Sequence, residues 1–449
     1  NGLFRVTNRF YFTNLKKYMV HYSVTANNKV VRSGKVSLDI EPQASKEFTV
    51  PVGNLKPQAG TEYFVNFNVT TVEKEPLIPI GHEIACDQFR LPIESPKKAF
   101  KTSGPKLTVS TNGDNLSASS SKVNFVFNRK TGIVTSYKVD GTEYFSEGFG
   151  IQPNFWRAPT DNDYGNGMPK RLQVWKESSK NFNVTDATVT MDGNNAVVNV
   201  NYLLPAGNLY IVNYTIYPSG AVDVAARFTS TDMDAAQTEV SEATRTATFT
   251  PGRDAARKEA SKLNVPRIGV RFRLPASMNQ VEYFGRGPAE NYLDRNAGSM
   301  IGLYKSTAEE LYFPYVRPQE NGHHTDTRWV SLSTGKKGLL IQADNTIGFN
   351  ALRNSIEDFD DEEATGLPRQ WSNFTPEQVA NHDEAAAKSV LRRQHHINDI
   401  TPRDFVEVCV DLKQQGVAGY DSWGSRPEPA YTLPANREYN WGFTLIPLK

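Results

Sequence analysis

The sequence has no G-x-S-x-G nucleophile elbow, no glycine-rich phosphate loop, no C-x-x-C pair and no H-E-x-x-H motif. These gaps remove the serine-elbow hydrolases, the P-loop enzymes and the helix-borne zinc proteases. No apolar run approaches the roughly 18 residues of a membrane span. Charge of one sign is also missing: 50 basic and 49 acidic residues leave a net +1. That balance gives no reason to expect nucleic acid or an anionic membrane as partner. The start, Asn1-Gly2-Leu3-Phe4, lacks an initiator Met, a basic n-region and an apolar h-region. A processed protein or an excised piece is expected from it. Cysteine is scarce, with only Cys86 and Cys409. Both sit in apolar-patterned segments, so two buried free thiols are expected, an inter-domain disulfide being the sharper alternative. Neither reading fixes the compartment. The seven histidines include the adjacent pairs His323-His324 and His395-His396. Neighbours on a strand point to opposite faces, so neither pair forms a chelate and no zinc site is expected.

What the chain has is period-two alternation, bounded by Gly, Pro, Asn and Asp. Tyr18–Val24 reads as a strand, Asn27-Asn28 as a turn, and Val30–Val36 as the hairpin partner. Further strands are expected at Lys46–Val50, Tyr63–Val69 and Ile84–Leu91. Seven or so short strands in about 95 residues suit an immunoglobulin-like β-sandwich. The polar, proline-bearing stretch Ser95–Pro105 reads as a linker. Strands then continue, with Val123–Phe127, Ala196–Val200, Leu209–Ile216, Val222–Ala226, Gly269–Leu274, Gly338–Ile341 and Phe405–Leu412 as examples. No fixed repeat and no second linker interrupts them. The expected organisation is all-β: a sandwich over residues 1–98, then one large antiparallel β domain over 105–449. Helical signals are few. Thr375-Pro376-Glu377-Gln378 has a capping-box start, and Thr307–Leu311 fits one turn. The acidic run Asp358–Glu363 reads most simply as a solvated loop, with cation binding as the alternative.

Four segments invite a chemical reading. Glycosidic cleavage usually needs two carboxyl groups flanking the bond, but 49 acidic residues make carboxylates alone uninformative. Glu282, Glu290 and Asp294 lie in Val281–Arg295 with two arginines and two glycines, a pattern for a tight turn with internal ion pairs. Asn154–Asp163 is rich in Asx residues after aromatics, which fix turns through local backbone bonds. Gly419-Tyr420-Asp421-Ser422-Trp423-Gly424-Ser425 differs. Its indole is flanked by small and polar residues and bounded by glycines. Such a ring either packs on a neighbouring surface or lies on the C–H face of a pyranose. His323 or His324 with Glu320 is the one local pairing that suggests a mutarotase-like acid and base.

Asn154–Asp163, Tyr283–Tyr292, Pro314–Gly322 and Asp421-Ser422-Trp423, in that order and spacing, resemble the last domain of glycoside hydrolase family 2 β-galactosidases. Residues 1–95, with Phe12–Leu15 and Gly81–Ala85, resemble the immunoglobulin-like domain before it. The resemblance covers nearly the whole chain. It implies a large super-sandwich, galactose mutarotase-like in fold, for the last domain. It also implies hydrolysis of terminal β-D-galactosyl residues with retention, by two glutamates on a (β/α)₈ barrel that precedes residue 1. No catalytic residue is therefore expected here, and the chain alone should be inactive. The family's last domain sends a loop with a substrate-stacking tryptophan into the active site. Trp423 sits at the matching position, with Asp421 and Ser422 beside it as substrate-binding candidates. Magnesium and sodium are implied for the full enzyme, at or near the barrel. A peripheral cation site beside Arg317-Pro318 is weakened by a departure from the family pattern over Val379–Asp383. The segments Glu357–Gly366 and Arg253–Lys262 look lineage-specific and have no assigned role. Expected partners are a β-galactoside, the missing N-terminal domains and barrel, and further copies in a homo-oligomer. A bacterial source is implied, periplasmic or cytoplasmic. The competing reading is an independent galactoside-binding module.

Overall fold

The computed structural model describes residues 2–230, 263–360, 396–421 and 424–449. They form two compact units, residues 1–100 with 300–303, and residues 101–299 with 304–449. The sheets of the first unit use six strands: β1 Leu3–Thr7, β2 Tyr18–Ala26, β3 Lys29–Ser37, β4 Ser45–Thr49, β5 Tyr63–Thr71 and β6 Glu83–Arg90. β1 pairs with β4, and the other four run β3-β2-β5-β6, all antiparallel. The sequence suggested seven or so. Residues 50–62, which carry Pro51, Pro57 and two glycines at positive φ, remain irregular, since proline cannot donate to a ladder. The core between the two sheets is small, with Val24, Val50 and Val65 fully buried and Phe4, Phe48, Phe67 and Phe89 packed edge to face or tilted around them.

Cys86 is exposed and free, whereas Cys409 is buried and free. The expectation of two buried thiols fails for Cys86 because β6 is an edge strand that is exposed along most of its length. The disulfide alternative fails for both.

In the second unit, β7 Thr108–Asn112, β8 Asn115–Ser119, β9 Val123–Asn128, β10 Ile133–Val139 and β11 Thr142–Glu143 make one five-stranded sheet. A twelve-stranded sheet takes β12 Gln152–Asn154, β13 Asn183–Asp192, β14 Asn195–Leu203, β15 Leu209–Ile216, β16 Val222–Phe228, β17 Arg267–Pro275, β18 Gln280–Gly287, β19 Met300–Thr307, β20 His324–Ser333, β21 Gly338–Leu352, β22 Phe405–Gln414 and β23 Tyr439–Leu448. Its main order is β12-β17-β22-β21-β23-β16-β15-β14-β13, with β20 joining β18 to β21 and β19 alongside β18. Alternation decides which residues face inward. Val123, Phe125 and Phe127 of β9 are buried, as are Val198, Val200 and Tyr202 of β14 and Tyr210, Val212 and Tyr214 of β15. One continuous core results. Among the described residues the α-helices are short: α1 Asp161–Gly165, α2 Met168–Arg171, α3 Gln173–Ser178 and α4 Ile356–Phe359. α3 places Trp175 fully inside, against Phe155 and Phe228.

Thr307–Leu311 is one turn, closed by Leu311 N donating to the Thr307 carbonyl at 3.0 Å. The capping-box start at Thr375 and the stretch Arg253–Lys262 lie outside the described residues. The acidic run is a correction over its described part. Asp358 and Asp360 are buried. Arg403 pairs with Asp358. Asp360 accepts from Trp156 Nε1 at 2.7 Å and pairs with Lys176 at 2.7 Å. Distant cations neutralise the run, so it is not a solvated loop there.

Trp175→Ala should destabilise the second unit by about 3–5 kcal/mol, the cost of emptying so large a buried site. Chemical denaturation followed by circular dichroism measures this, and an unchanged midpoint would contradict the packing described.

Candidate functional site

The Asn154–Asp163 segment is a structural turn, as its Asx content suggested. Thr160 caps α1: its hydroxyl accepts from Asp163 N at 3.2 Å, and the Asp163 carboxylate accepts from Thr160 N at 3.0 Å. The same carboxylate takes Arg157 through Nε at 3.1 Å and Nη2 at 3.0 Å. Both partners are buried. The other edge of the guanidinium reaches the end of β22. Arg157 Nη1 donates to Gln414 Oε1 at 3.2 Å and to the Gln415 carbonyl at 2.7 Å, and Nη2 donates to the Gly416 carbonyl at 3.1 Å. A guanidinium has five donors in a rigid fork, so this one side chain fixes two segments against each other.

Beyond β22 the chain leaves the sheet as a limb, residues 415–421, buried from Gln415 to Val417 and exposed from Gly419 onward. Asp294 Oδ1 accepts from Val417 N at 2.9 Å, and Oδ2 accepts from Ala418 N at 2.8 Å. Asn162 Nδ2 donates to the Val417 carbonyl at 3.3 Å. Ala418 at φ 57° and Gly419 at φ 91° both lie in the left-handed region. A Cβ at Gly419 would stand 2.6 Å from Asn162 Nδ2, so glycine is required there by space as well as by φ. Gly424 lies against the backbone of Gly165, where a Cβ would come within 2.5 Å of the carbonyl carbon. Asp421 is exposed, and its Oδ1 accepts from Ser425 N at 3.3 Å. Of the three candidate sugar-contacting residues, Asp421 is therefore on the outer part of this limb. Ser422 and Trp423 lie outside the described residues.

Behind the limb lies a buried charged network. Arg267, fully buried, pairs with Asp411 at 3.2 Å and Glu320 at 2.9 Å and donates to Asn350 Oδ1 at 2.8 Å. Gln414 Nε2 donates to Glu320 at 2.9 Å, and Gln414 also accepts from Arg157, so the two arginine clusters are joined. Glu290 from the Tyr283–Tyr292 segment accepts from Gly322 N at 2.7 Å and pairs with Arg295 at 3.0 Å. That pair is the internal one expected of Val281–Arg295. Arg286 pairs outside the segment, with Asp326 at 2.6 Å, and Glu282 with Lys305 at 3.7 Å. Asn154–Asp163, Val281–Arg295 and Pro314–Gly322 thus meet around the base of the limb. The grip of Asp294 on Val417 and Ala418 was not legible, because no local spacing signals a bond across 123 residues.

The mutarotase-like pairing does not stand in this geometry. His323 and Glu320 both bond Asn350, but both are buried, and Glu320 is already held by Arg267 and Gln414. Burial and the neighbouring Arg267 hold the His323 imidazole well below its usual range, so it stays neutral. Beside Pro318, the Arg317 guanidinium lies 3.9 Å from the centre of the Tyr164 ring and 3.6 Å from Asp161. A cation there would meet a positive charge rather than an oxygen cage. Among the described residues no cluster of three or more His, Cys, Asp or Glu side chains is arranged to hold a metal ion.

These features define an all-β chain in two units, the larger carrying a limb that emerges from a buried charged network. The chain belongs to the β-galactosidase small-chain family, whose model matches residues 119–445. The model of β-galactosidase domain 4 matches residues 4–92. The β-galactosidase of Priestia megaterium is 30% identical over 451 aligned positions, covering 100% of this chain and 38% of that protein. That of Streptococcus thermophilus is 24% identical, covering 97% of this chain and 36% of that protein. The chain therefore spans under two-fifths of the length of these curated relatives. Among solved structures, a galactose mutarotase-like protein from Lactobacillus casei aligns with 74% of this chain and 99% of its own, at 11% identity and a TM-score of 0.35.

Burial pushes the Asp411 carboxyl up to about 7, even beside Arg267. Between about pH 4 and pH 7 the folded chain therefore holds a proton that the unfolded chain has released. Its contribution to stability is full below about pH 4 and is lost as pH rises to about 7. Thermal midpoints of wild type and Asp411→Asn, compared from pH 4 to pH 8, should shift against the wild type up to about pH 7 and then level off. A difference that is flat across the range would contradict this.

Proposed function

We propose that this chain is the C-terminal, non-catalytic portion of a retaining β-galactosidase that hydrolyses terminal β-D-galactosyl residues. In this reading it supports the fold and supplies an active-site loop in which Trp423 stacks on the sugar, with Asp421 and Ser422 beside it. The observation that carries the reading is the clamped limb 415–421, which leads into that loop and is held by the buried Arg157 and the half-buried Asn162 and Asp294. A stacking platform is useful only if its position is fixed. One aromatic ring on a sugar face is worth about 1–3 kcal/mol, through buried area and ring geometry. It orients substrate and moves no proton.

The chain's own buried carboxylates favour the same division of labour. Asp163, Glu320, Glu407 and Asp411 each face an arginine at hydrogen-bond or ion-pair distance inside the fold. A retaining site needs a nucleophile and an acid/base about 5–5.5 Å apart and open to substrate. In the proposed enzyme both are glutamates of a barrel outside this chain. The barrel part also carries the magnesium and sodium sites, and further copies complete a homo-oligomer.

Purified alone, residues 1–449 should not hydrolyse an aryl β-galactoside, and lactose should change their tryptophan fluorescence only weakly. Hydrolysis that survives removal of trace full-length enzyme would overturn the reading. Micromolar lactose binding lost in Trp423→Ala would favour a self-sufficient binding module instead.

A further inference from the structure

We infer that Asp294 is a positioning residue for this reaction, acting through the limb that its carboxylate holds. The inference rests on the reading of residues 415–421 as the approach to the substrate loop.

The geometry singles out this side chain. Two successive backbone N–H groups, of Val417 and Ala418, point at the two oxygens of one carboxylate, at 2.9 and 2.8 Å. A carboxylate can accept through both oxygens at once, and charge-assisted bonds of this kind are short and strong. The backbone they hold is one that an alanine rarely adopts, with Ala418 at φ 57°. Without its partner, Ala418 gains by returning to the right-handed or extended region. That change would redirect every residue after it, starting with Gly419, Tyr420 and Asp421.

The surroundings are shaped to admit the carboxylate. A Cβ at position 416 would stand 2.4 Å from Asp294 Oδ2, so Gly416 leaves the space that the side chain occupies. Asn162 holds the same peptide from the other side, through the Val417 carbonyl at 3.3 Å. Asp294 also lines a cavity of about 790 Å³, together with Glu290, Arg295, Tyr315 and Tyr431. It is not enclosed in the apolar core, so an isosteric change there removes the grip without opening a packing defect.

The test uses the full-length protein containing this chain, with o-nitrophenyl β-D-galactoside as probe. Asp294→Asn keeps the shape but sets an amide N–H₂ against one backbone N–H. It should raise KM by roughly tenfold, the scale expected when a misplaced group weakens substrate positioning. Trp423→Ala should raise KM at least as much. Because Asp294 works through the loop, the double variant should be no worse than Trp423→Ala alone. Asn162→Ala, which loosens the same peptide by one neutral bond, should move KM in the same direction by less, and it serves if Asp294→Asn fails to fold. Wild-type KM in both Asp294→Asn and Asn162→Ala, with Trp423→Ala impaired, would overturn the role of Asp294. So would losses that simply multiply in the double variant. Wild-type KM in Trp423→Ala would overturn the substrate-loop reading itself, and this inference with it.

Discussion

A single buried ion pair organises the larger unit around the limb that follows β22. Arg157 and Asp163 lie six residues apart, yet their bonds extend to a helix cap on one side and to the carbonyls of Gln415 and Gly416 on the other. Removing two charges from water costs several kcal/mol per ion, so the pair need not add net stability. What it provides is a fixed relation between α1 and the end of β22. Breaking it from one side would leave the other charge buried and uncompensated. Gln414 carries the same logic inward to Glu320 and Arg267, and Asn350 carries it on to His323. The limb therefore starts from a buried, fixed base and reaches the surface at Gly419.

The strands were the most legible part of the sequence. Alternation located β9, β14 and β15 and the hairpin at Asn27-Asn28 because one face of each sheet is buried and the other is not. The same signal misjudged Cys86, whose flanking apolar residues lie on an edge strand that is exposed along most of its length. The run of acidic charge misjudged Asp358 and Asp360. Their counter-charges, Arg403 and Lys176, are remote in sequence, so the run looked solvated. The site was legible to a smaller degree. Asx residues announced the turn at 160–163, because that bonding is local. Asp294 gave no such announcement, since its partners are backbone amides more than a hundred residues away. Trp423 was singled out by its glycine-bounded setting, but only the family resemblance gave it a specific role.

Among the described residues, buried charges meet one another inside the fold. Asp163, Glu320 and Asp411 face arginines, Asp360 faces Lys176, and burial holds His323 and His324 below the usual imidazole range. Such groups stiffen a scaffold. The positive-φ backbone at Ala418 and Gly419 is the feature that demands active support, and support comes from two directions at once. Local strain of this kind persists only where the surroundings over-determine it.

The central claim is that Asp294 and Asn162 hold the limb in one conformation. Hydrogen–deuterium exchange at the Val417 and Ala418 amides tests it most directly. Exchange slowed to a rate near that of the β22 amides is the predicted result, whereas exchange as fast as in exposed loops would contradict the account.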